Sequence, residues 1–205
     1  MATSKSSKPA ASAAARKPSL SSQIQSAERD LLKQIAKVGA LKRKAKPEPV
    51  EDAEFVGAGG KPVQLSQLFG NREEMIVIHN MGRSCPYCTM WADGFNGQLA
   101  HLENRAAFVV VSPDAPDRQA EFAKSRGWGF RMVSDPKGRF SSAVGYGSDG
   151  GIHPGMSTLR RSGDGSIERI AHSPFGPGDP YNAAFNMIDL LPGGASAWSP
   201  RFKYP

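Results

Sequence analysis

The stretch that most constrains the fold is the apolar run Met75–Ile78, which is followed by the only two cysteines of the chain, Cys85 and Cys88. A buried strand, a short turn and two thiols at the start of a helix form a recognisable redox arrangement. The positive end of a helix dipole favours a thiolate over a thiol. The spacing therefore predicts that Cys85 is the exposed nucleophile. It predicts that Cys88, one helical turn further along, attacks a mixed disulfide on Cys85.

Chain length and cysteine content restrict the class of protein. A chain of 205 residues is long enough for one domain with extensions, and its core can form without disulfides. Two cysteines at this spacing are typical of a redox-active or metal-binding pair in a reducing compartment. No stretch approaches the ~18 apolar residues that cross a bilayer, and the basic start lacks the apolar segment of a secretory signal. A cytoplasmic protein is predicted; a transit peptide, which the acid-free start also resembles, is the alternative.

The positive charge of the chain is concentrated in its N-terminal part. Residues 1–46 hold 11 Lys and Arg against 2 Asp and Glu, whereas the remaining residues hold 15 against 17. The net charge of +7 therefore comes from the N-terminal extension and not from the body. A basic segment can bind nucleic acid or a membrane surface through phosphate attraction. A solvated tail is the simpler interpretation, so neither a membrane nor a nucleic-acid partner is predicted.

Composition divides the chain into three parts. Residues 1–18 contain almost no large apolar side chains and are predicted to be a disordered basic tail. Residues 19–46 are predicted to be an amphipathic helix with a capping box at Ser22, and residues 47–205 form the main domain. The apolar face of the helix needs cover, either from the body of the chain or from a second copy in a homodimer. This face consists of Leu20, Ile24, Ala27, Leu31, Ile35, Val38 and Leu41.

The main domain shows alternating strand and helix signals. Continuous apolar character predicts buried strands at Met75–His79 and Ala107–Val111. A helix should connect them from Cys85 to Leu102, with a bend near Gly94 because glycine weakens it. The other predicted elements are a hairpin and helical turn over 55–70, a helix over 116–126 with Ala120 and Phe122 turned inward, and a strand over 131–134. They are followed by a turn over 140–144, strands over 156–160 and 167–171, and a helix over 181–191. The order predicts an α/β fold with helices on both sides of a mixed central sheet and a closing hairpin at one end.

This order, with a Cys-x-x-Cys after the first central strand, resembles the thioredoxin fold. The run Phe108-Val-Val-Val-Ser-Pro-Asp114, followed later by Val133-Ser-Asp135 and Tyr146-Gly147, is similar to the peroxiredoxin and alkyl-hydroperoxide-reductase branch. A closer resemblance is to an uncharacterised thioredoxin-like family, the domain of unknown function 899, over residues 50–205. The motifs that carry it are His79-Asn-Met-Gly82, Cys85-Pro-Tyr-Cys88, Trp91-Ala-Asp-Gly-Phe95 and Val109-Val-Val-Ser112.

The resemblance implies a substrate site beside the thiols. In the thioredoxin fold a cis-proline precedes the strand that faces the thiols, and Pro154 takes that place by order; a trans proline at a strand start is the alternative. Peroxiredoxins have Thr or Ser three residues before the reactive cysteine, and an arginine just before or within the strand after the loop. Here Gly82 stands at the first position and Arg160 comes late, so Arg83 is the residue that could act as the positive partner.

The two thiols are therefore the predicted catalytic residues, with Arg83, Tyr87, Trp91 and Pro154 at the substrate site; core packing is the alternative for Trp91. The predicted activity is thiol–disulfide exchange with protein or small-molecule disulfides, without a cofactor or metal. One alternative is a metal-binding or redox-sensing module in which His79 and His153 complete a Cys2His2 set. A thiol peroxidase is the second alternative. Without a metal, His79 is expected to end its strand and to hydrogen-bond the active-site loop.

Overall fold

The structure is a computed structural model that describes residues 17–148 and 151–205. The described residues divide into two units, one ending at Leu41 and one spanning Lys42–Pro205. All but the last two residues of the predicted disordered tail lie outside the described part. Within that part, no helix has both the length and the apolar character needed to cross a membrane.

The predicted amphipathic helix is present as α1, which spans Leu20–Lys44 and has no buried residue. Its first turn is capped by Ser19, whose Oγ accepts a hydrogen bond from the Ser22 amide at 3.2 Å. The predicted capping box at Ser22 is therefore wrong, because the helix begins three residues earlier than that box requires. The basic side chains of its last turn are Lys42, Arg43 and Lys44, which suits the negative end of the helix dipole.

A mixed sheet of eight strands forms the centre of the second unit. In chain order the strands are β1 (Glu48–Val50), β2 (Glu54–Val56), β3 (Pro62–Gln64), β4 (Glu74–His79), β5 (Ala107–Ser112) and β6 (Arg131–Ser134), then β9 (Gly155–Arg161) and β10 (Ile167–Pro174). Two short strands, β7 (Gly147–Ser148) and β8 (Gly151–Ile152), pair with each other. The order across the large sheet is β1-β10-β9-β4-β5-β6-β2-β3. Strands β4, β5 and β6 run parallel, and the other pairs are antiparallel.

This arrangement confirms the predicted α/β thioredoxin-like fold with a mixed sheet. One detail is wrong: the β9–β10 hairpin does not close the sheet, because β1 pairs with β10 outside it. Sequence patterns did not predict β1, which is three residues long and contains Pro49. Proline is tolerated there because β1 is an edge strand, where one row of amides needs no partner strand.

In the described part of the chain, six α-helices accompany the strands. After α1 they are α2 (Leu65–Leu68), α3 (Pro86–Arg105), α4 (Pro116–Arg126), α5 (Arg139–Ala143) and α6 (Ala183–Ile188). The predicted bend in α3 is absent, since the helix continues through Gly94 while Trp91 and Phe95 on either side of it are buried. Gly94 itself is exposed, so its missing side chain leaves no gap in the core.

Two further helix predictions need correction. In α4 the inward residue is Gln119 and not Ala120, because the Gln119 side-chain amide donates to Ser112 Oγ at 2.9 Å and to the Val133 carbonyl at 3.0 Å. The last helix is shorter than predicted, and Leu191 is 60% exposed beyond its end. A Pro-Gly-Gly sequence follows Leu191 and prevents the helix from continuing.

A hydrophobic core lies on each face of the sheet, because neighbouring residues of a strand point to opposite faces. Val77 and Ile78 of β4 thus belong to different cores. The first core includes Phe55, Leu65, Phe69, Val109, Phe140 and Tyr146. The second lies beneath α3 and α6 and includes Trp91, Phe95, Phe108, Phe130, Phe175 and Phe185. The second core therefore holds the helix that carries the two cysteines.

Candidate redox site

The two cysteines lie where β4 passes into α3. Cys85 is the N-cap residue of α3, with extended backbone angles of φ −98° and ψ 106°, and Pro86 is the first helical residue. Proline suits this position because its fixed φ matches the helix and the first turn needs no amide donor from it. The strand-to-helix turn predicted for the thiols is thus confirmed.

The first turn of α3 brings the two cysteines together. The Cys88 amide donates to Cys85 Sγ at 3.1 Å. Cys85 is half-buried, whereas Cys88 is only 3% exposed. Both are free thiols in this structure. A substrate can therefore reach Cys85 directly, while Cys88 sits behind it.

The same contacts separate the acidities of the two thiols. The hydrogen bond from the Cys88 thiol is the main cause that lowers the pKa of Cys85 to about 6, with help from the Cys88 and Tyr87 amides and against the effect of burial. The pKa of Cys88 is raised, first because its proton is held by Cys85 and second because it is buried. At neutral pH Cys85 is therefore mostly a thiolate and Cys88 stays protonated.

The loop before Cys85 is held by two side chains that sequence patterns did not single out. Asn80 Oδ1 accepts from the Gly82 amide at 2.8 Å, and Asp114 Oδ2 accepts from the Arg83 amide at 2.7 Å. Gly82 has φ +100°, and a Cβ there would lie 2.9 Å from Asp114 Oδ2. These contacts explain why glycine, and not Thr or Ser, stands three residues before Cys85. The Asp114 signal was visible as the end of the Ser-Pro-Asp run after β5.

Tyr87 lies on the first turn of α3 and lines an open groove of about 390 Å³. Its ring stacks on Phe185 of α6 at a centroid distance of 6.1 Å, and Phe185 in turn contacts Trp198 edge-on. The lining of the groove also includes the polar residues Asn186, Asp189 and Ser196. The sequence predicted Tyr87 at a substrate site but did not predict Phe185 or Trp198, because the chain brings them in from the C-terminal segment.

Trp91 packs in the second core, which is the alternative that the sequence left open. Its side chain is 3% exposed and stacks on Phe175 at 5.7 Å within the second core. Its Nε1 donates to Asp179 Oδ2 at 3.1 Å, and Asp179 also accepts from the Gly176 and Tyr181 amides. Trp91 therefore anchors the segment after β10 onto α3, and a direct contact with substrate stays a prediction.

Pro154 immediately precedes β9, whose first residue, Gly155, pairs with His79 at the end of β4. It therefore lies beside the carboxyl end of β4, from which the thiol-bearing loop departs. No peptide bond among the described residues is cis, so Pro154 takes the trans alternative. Its carbonyl accepts from the Phe175 amide at 3.0 Å, and this hydrogen bond joins the start of β9 to a residue of the second core.

The two arginines of β9 both make contacts of their own. Arg160 pairs with Glu168 at 2.8 Å, and Arg161 donates to the Ser66, Gly70 and Arg72 carbonyls. Both lie at the end of β9 remote from Gly155. Arg83, which is exposed two residues before Cys85, is the arginine that the sequence places beside the thiols.

His79 does not hydrogen-bond the active-site loop as predicted. Its Nε2 is 2.9 Å from Ser157 Oγ of β9, and its ring stacks on Tyr146 at 4.0 Å. The ring lies in the first core because His79 shares a strand face with Val77. Burial, with the charge of Arg169, lowers the pKa of His79 to about 3, so it is neutral.

The metal set proposed as an alternative is not assembled. His79 is buried against Tyr146 and Ser157, whereas His153 is exposed. Across residues 17–148 and 151–205, no three His, Cys, Asp or Glu side chains are grouped so that they could hold a metal ion. The arrangement that does exist is a thiolate–thiol pair with a half-exposed sulfur, which suits nucleophilic attack on sulfur or oxygen.

Comparison with known proteins supports the same fold. Two Mycobacterium tuberculosis proteins, from strains CDC 1551 and H37Rv, are named "Putative peroxiredoxin MT2597" and "Putative peroxiredoxin Rv2521". Each is 35% identical to this chain over 92 residues, which is 44% of this chain. The chain spans 57% of the length of these curated relatives.

Solved structures of peroxiredoxins are also similar. Peroxidoxin BcpB from Mycobacterium tuberculosis matches with a TM-score of 0.51 and 24% identity over 62% of this chain and 84% of its own. Reduced Prx3 from Vibrio vulnificus, solved with hydrogen peroxide, matches with a TM-score of 0.54 and 14% identity over 66% and 90% of the two chains. These matches establish a thioredoxin-like fold of the peroxiredoxin type.

The family assignment covers far more of the chain. Residues 8–201 match the family described as "Bacterial protein of unknown function (DUF899)". This range includes α1, every strand of the large sheet and both cysteines. The chain therefore belongs to the bacterial protein family of unknown function DUF899.

Proposed function

We propose that the protein is a thiol–disulfide oxidoreductase in which Cys85 attacks and Cys88 resolves. The observation that carries this proposal is the placement of the half-buried Cys85 at the N-cap of α3, where its Sγ accepts from the amide of the buried Cys88 at 3.1 Å. The pKa of Cys85 is lowered to about 6. A nucleophile with a pKa just below ambient pH combines a high thiolate fraction with useful reactivity. The names of the relatives and the fold of the structural neighbours support redox chemistry at this position.

The reaction proceeds in two balanced steps. The Cys85 thiolate attacks one sulfur of a substrate disulfide, a new S–S bond forms, and the other substrate sulfur leaves as a thiolate that takes a proton from water. Cys88 then loses its proton and attacks Cys85 Sγ, which releases the second substrate thiolate. The substrate gains two electrons, the protein is oxidised to a Cys85–Cys88 disulfide, and an external thiol reductant restores the dithiol.

The geometry favours this order of events. While Cys85 is a thiolate, it holds the Cys88 proton and keeps the pKa of Cys88 high. Once Cys85 is in a mixed disulfide, that negative acceptor is gone, so the main cause of the raised pKa is removed. Cys88 therefore becomes a better nucleophile when it is needed.

The surroundings of Cys85 supply the substrate site in this proposal. Tyr87 with Phe185 offers an aromatic surface, and Arg83 offers a positive charge. Pro154 lies beside the end of β4 from which the thiol-bearing loop departs. We expect both protein disulfides and small-molecule disulfides as substrates, because Cys85 is only half-buried. No additional cofactor is required, because the two thiols carry the electrons themselves.

A thiol peroxidase is the second candidate, and the peroxiredoxin names of the relatives favour it. In that reaction the Cys85 thiolate attacks a hydroperoxide oxygen, the O–O bond breaks, and an alcohol or water leaves. The resulting sulfenic acid condenses with Cys88 and releases water, giving the same disulfide. The two activities therefore differ in the first substrate and share the end state.

Insulin-disulfide reduction and peroxide consumption, measured side by side with a dithiol reductant, separate the candidates. We expect insulin reduction by the wild type, a loss on the order of 1,000-fold in Cys85→Ser, and a mixed disulfide trapped on Cys85 in Cys88→Ser. Ser84→Ala, at an exposed neighbouring position, is the matched control and should keep full activity. Peroxide consumption without insulin reduction, with sulfenic acid on Cys85 in Cys88→Ser, would assign the peroxidase instead.

A further inference from the structure

Helix α1 has an apolar stripe with the spacing of a coiled coil. Its 25 residues are all unburied, and a solvent-exposed helix gains little stability without packing along one face. The stripe alternates steps of four and three residues, which is the a/d spacing of a heptad repeat. Six of the seven stripe positions are apolar, and Gln34 is the exception. The stripe consists of Leu20, Ile24, Ala27, Leu31, Gln34, Val38 and Leu41.

We propose that α1 mediates homodimerisation by pairing with α1 of a second copy in an antiparallel coiled coil. A narrow a/d stripe is the pattern of a helix that packs against one other helix. The stripe contains Leu31, which is 60% exposed, but not the adjacent Leu32, which is 67% exposed. The basic residues Arg29 and Lys33 lie on the opposite side of the helix, where they point away from a partner.

Charge complementarity selects the orientation. In the heptad register, Asp30 and Lys37 both occupy g positions beside the stripe, where charges face the partner helix. Consider an antiparallel pair in which Ile24 of each copy packs beside Leu41 of the other. In that register Asp30 of each copy faces Lys37 of the other. Asp30 also pairs with Lys33 of its own helix at 3.0 Å, an exposed contact that leaves the second carboxylate oxygen for the partner.

A parallel pair would have no such contact. There the g residue of one helix faces the e residue five positions later on the other. Lys37 would then face Lys42 of the second copy, and Asp30 would face Ile35. The parallel arrangement thus creates two like-charge contacts, whereas the antiparallel arrangement creates two opposite-charge contacts. The antiparallel dimer is therefore favoured.

The oligomeric state of the full chain, measured by sedimentation under reducing conditions over a concentration series, tests the proposal. The wild type should have a mass twice the 21.9 kDa of one chain, and Leu31→Glu should weaken dimerisation on the order of 100-fold. Leu32→Glu is the matched control, since it places the same charge on an equally exposed neighbour outside the stripe. A wild type that is monomeric throughout, or equal effects of the two variants, would overturn the proposal.

Charge variants test the orientation. Lys37→Asp should weaken an antiparallel dimer about threefold to tenfold, and adding Asp30→Lys should restore it. In a parallel dimer Lys37→Asp would instead strengthen association, because it would face Lys42, so that result contradicts the antiparallel arrangement.

Two further results would replace the second copy with another occupant. A wild type that stays monomeric but sediments with phosphatidylglycerol vesicles would assign the stripe to an anionic membrane surface. A monomer that Leu31→Glu, but not Leu32→Glu, makes less stable to urea would assign the stripe to the body of the same chain. Neither result depends on the thiols, so this test and that of the redox activity are independent.

Discussion

Helices α1 and α3 have similar apolar spacing but differ in how much of their apolar face is buried. Helix α3 has 20 residues and buries five of them, whereas α1 has 25 residues and buries none. The difference comes from their place in the chain. Helix α3 connects the parallel strands β4 and β5, so it must cross one face of the sheet, while α1 precedes the first strand. A periodic pattern therefore predicts a helix, but the neighbouring strands decide whether the apolar face is covered.

The largest expected effect is on stability, and it should separate the two helices. Phe95→Ala in α3 removes a buried ring that contacts Phe108 and Phe175, so we expect a loss of about 3–5 kcal/mol in the free energy of unfolding. Leu32→Ala in α1 should change it by less than about 0.5 kcal/mol because the side chain is exposed. Urea unfolding measures both. A large loss in Leu32→Ala would show that the comparison is mistaken.

Substitutions at two glycines compare the backbone of the loop before α3 with that of the helix itself. Gly82→Ala places a side chain at φ +100° against Asp114, so we expect a loss of about 1–3 kcal/mol together with lower thiol reactivity. Gly94→Ala should instead stabilise the protein by about 0.5–1 kcal/mol, because it lies within the helix with no atom near its added Cβ. Urea unfolding and alkylation of Cys85 provide the measurements. If Gly82→Ala changed neither the free energy of unfolding nor the alkylation of Cys85, the tight packing of the loop would be contradicted.

The acidity of Cys85 provides a sharper test of the α3 N-terminus. Because its pKa is lowered to about 6, the thiolate is present above that pH and is lost as the pH falls through it. The rate of iodoacetamide alkylation should therefore rise between pH 5 and 7 and then level off, by about tenfold per pH unit on the acid side. Cys88→Ala removes the main hydrogen-bond donor, so the midpoint should move upward. An unchanged midpoint would assign the shift to the helix backbone alone.

The smallest expected effect concerns the aromatic groove. Phe185→Ala removes the ring that stacks on Tyr87, so we expect the KM for a protein disulfide to rise about threefold to tenfold while kcat changes little. Met187→Ala, on the same helix at a 62% exposed position outside the groove, is the control and should leave KM unchanged. Equal effects of both substitutions would move the substrate contact away from Phe185.

Much of the fold could be predicted because its signals are local. The apolar runs of β4 and β5, the helix after the thiols and the hairpin at Gly163–Gly165 are all read from neighbouring residues. The errors occur where distant parts of the chain meet. Strand β1 has too few residues for a periodic pattern, and Gln119 is buried because Ser112 and Val133 supply its hydrogen-bond partners. His79 likewise faces Tyr146, a contact that strand alternation alone does not identify.

The amino-acid sequence by itself determined the strand–turn–helix that carries Cys85 and Cys88, because the two thiols are separated by one helical turn and need no distant partner. It also determined that α1 is amphipathic. Only the tertiary structure decided that Asn80 and Asp114 hold the loop, that Trp91 is in the core, and that Phe185 and Trp198 form the groove beside Tyr87. These contacts join residues far apart in the chain, and their geometry follows from how the sheet and its helices pack.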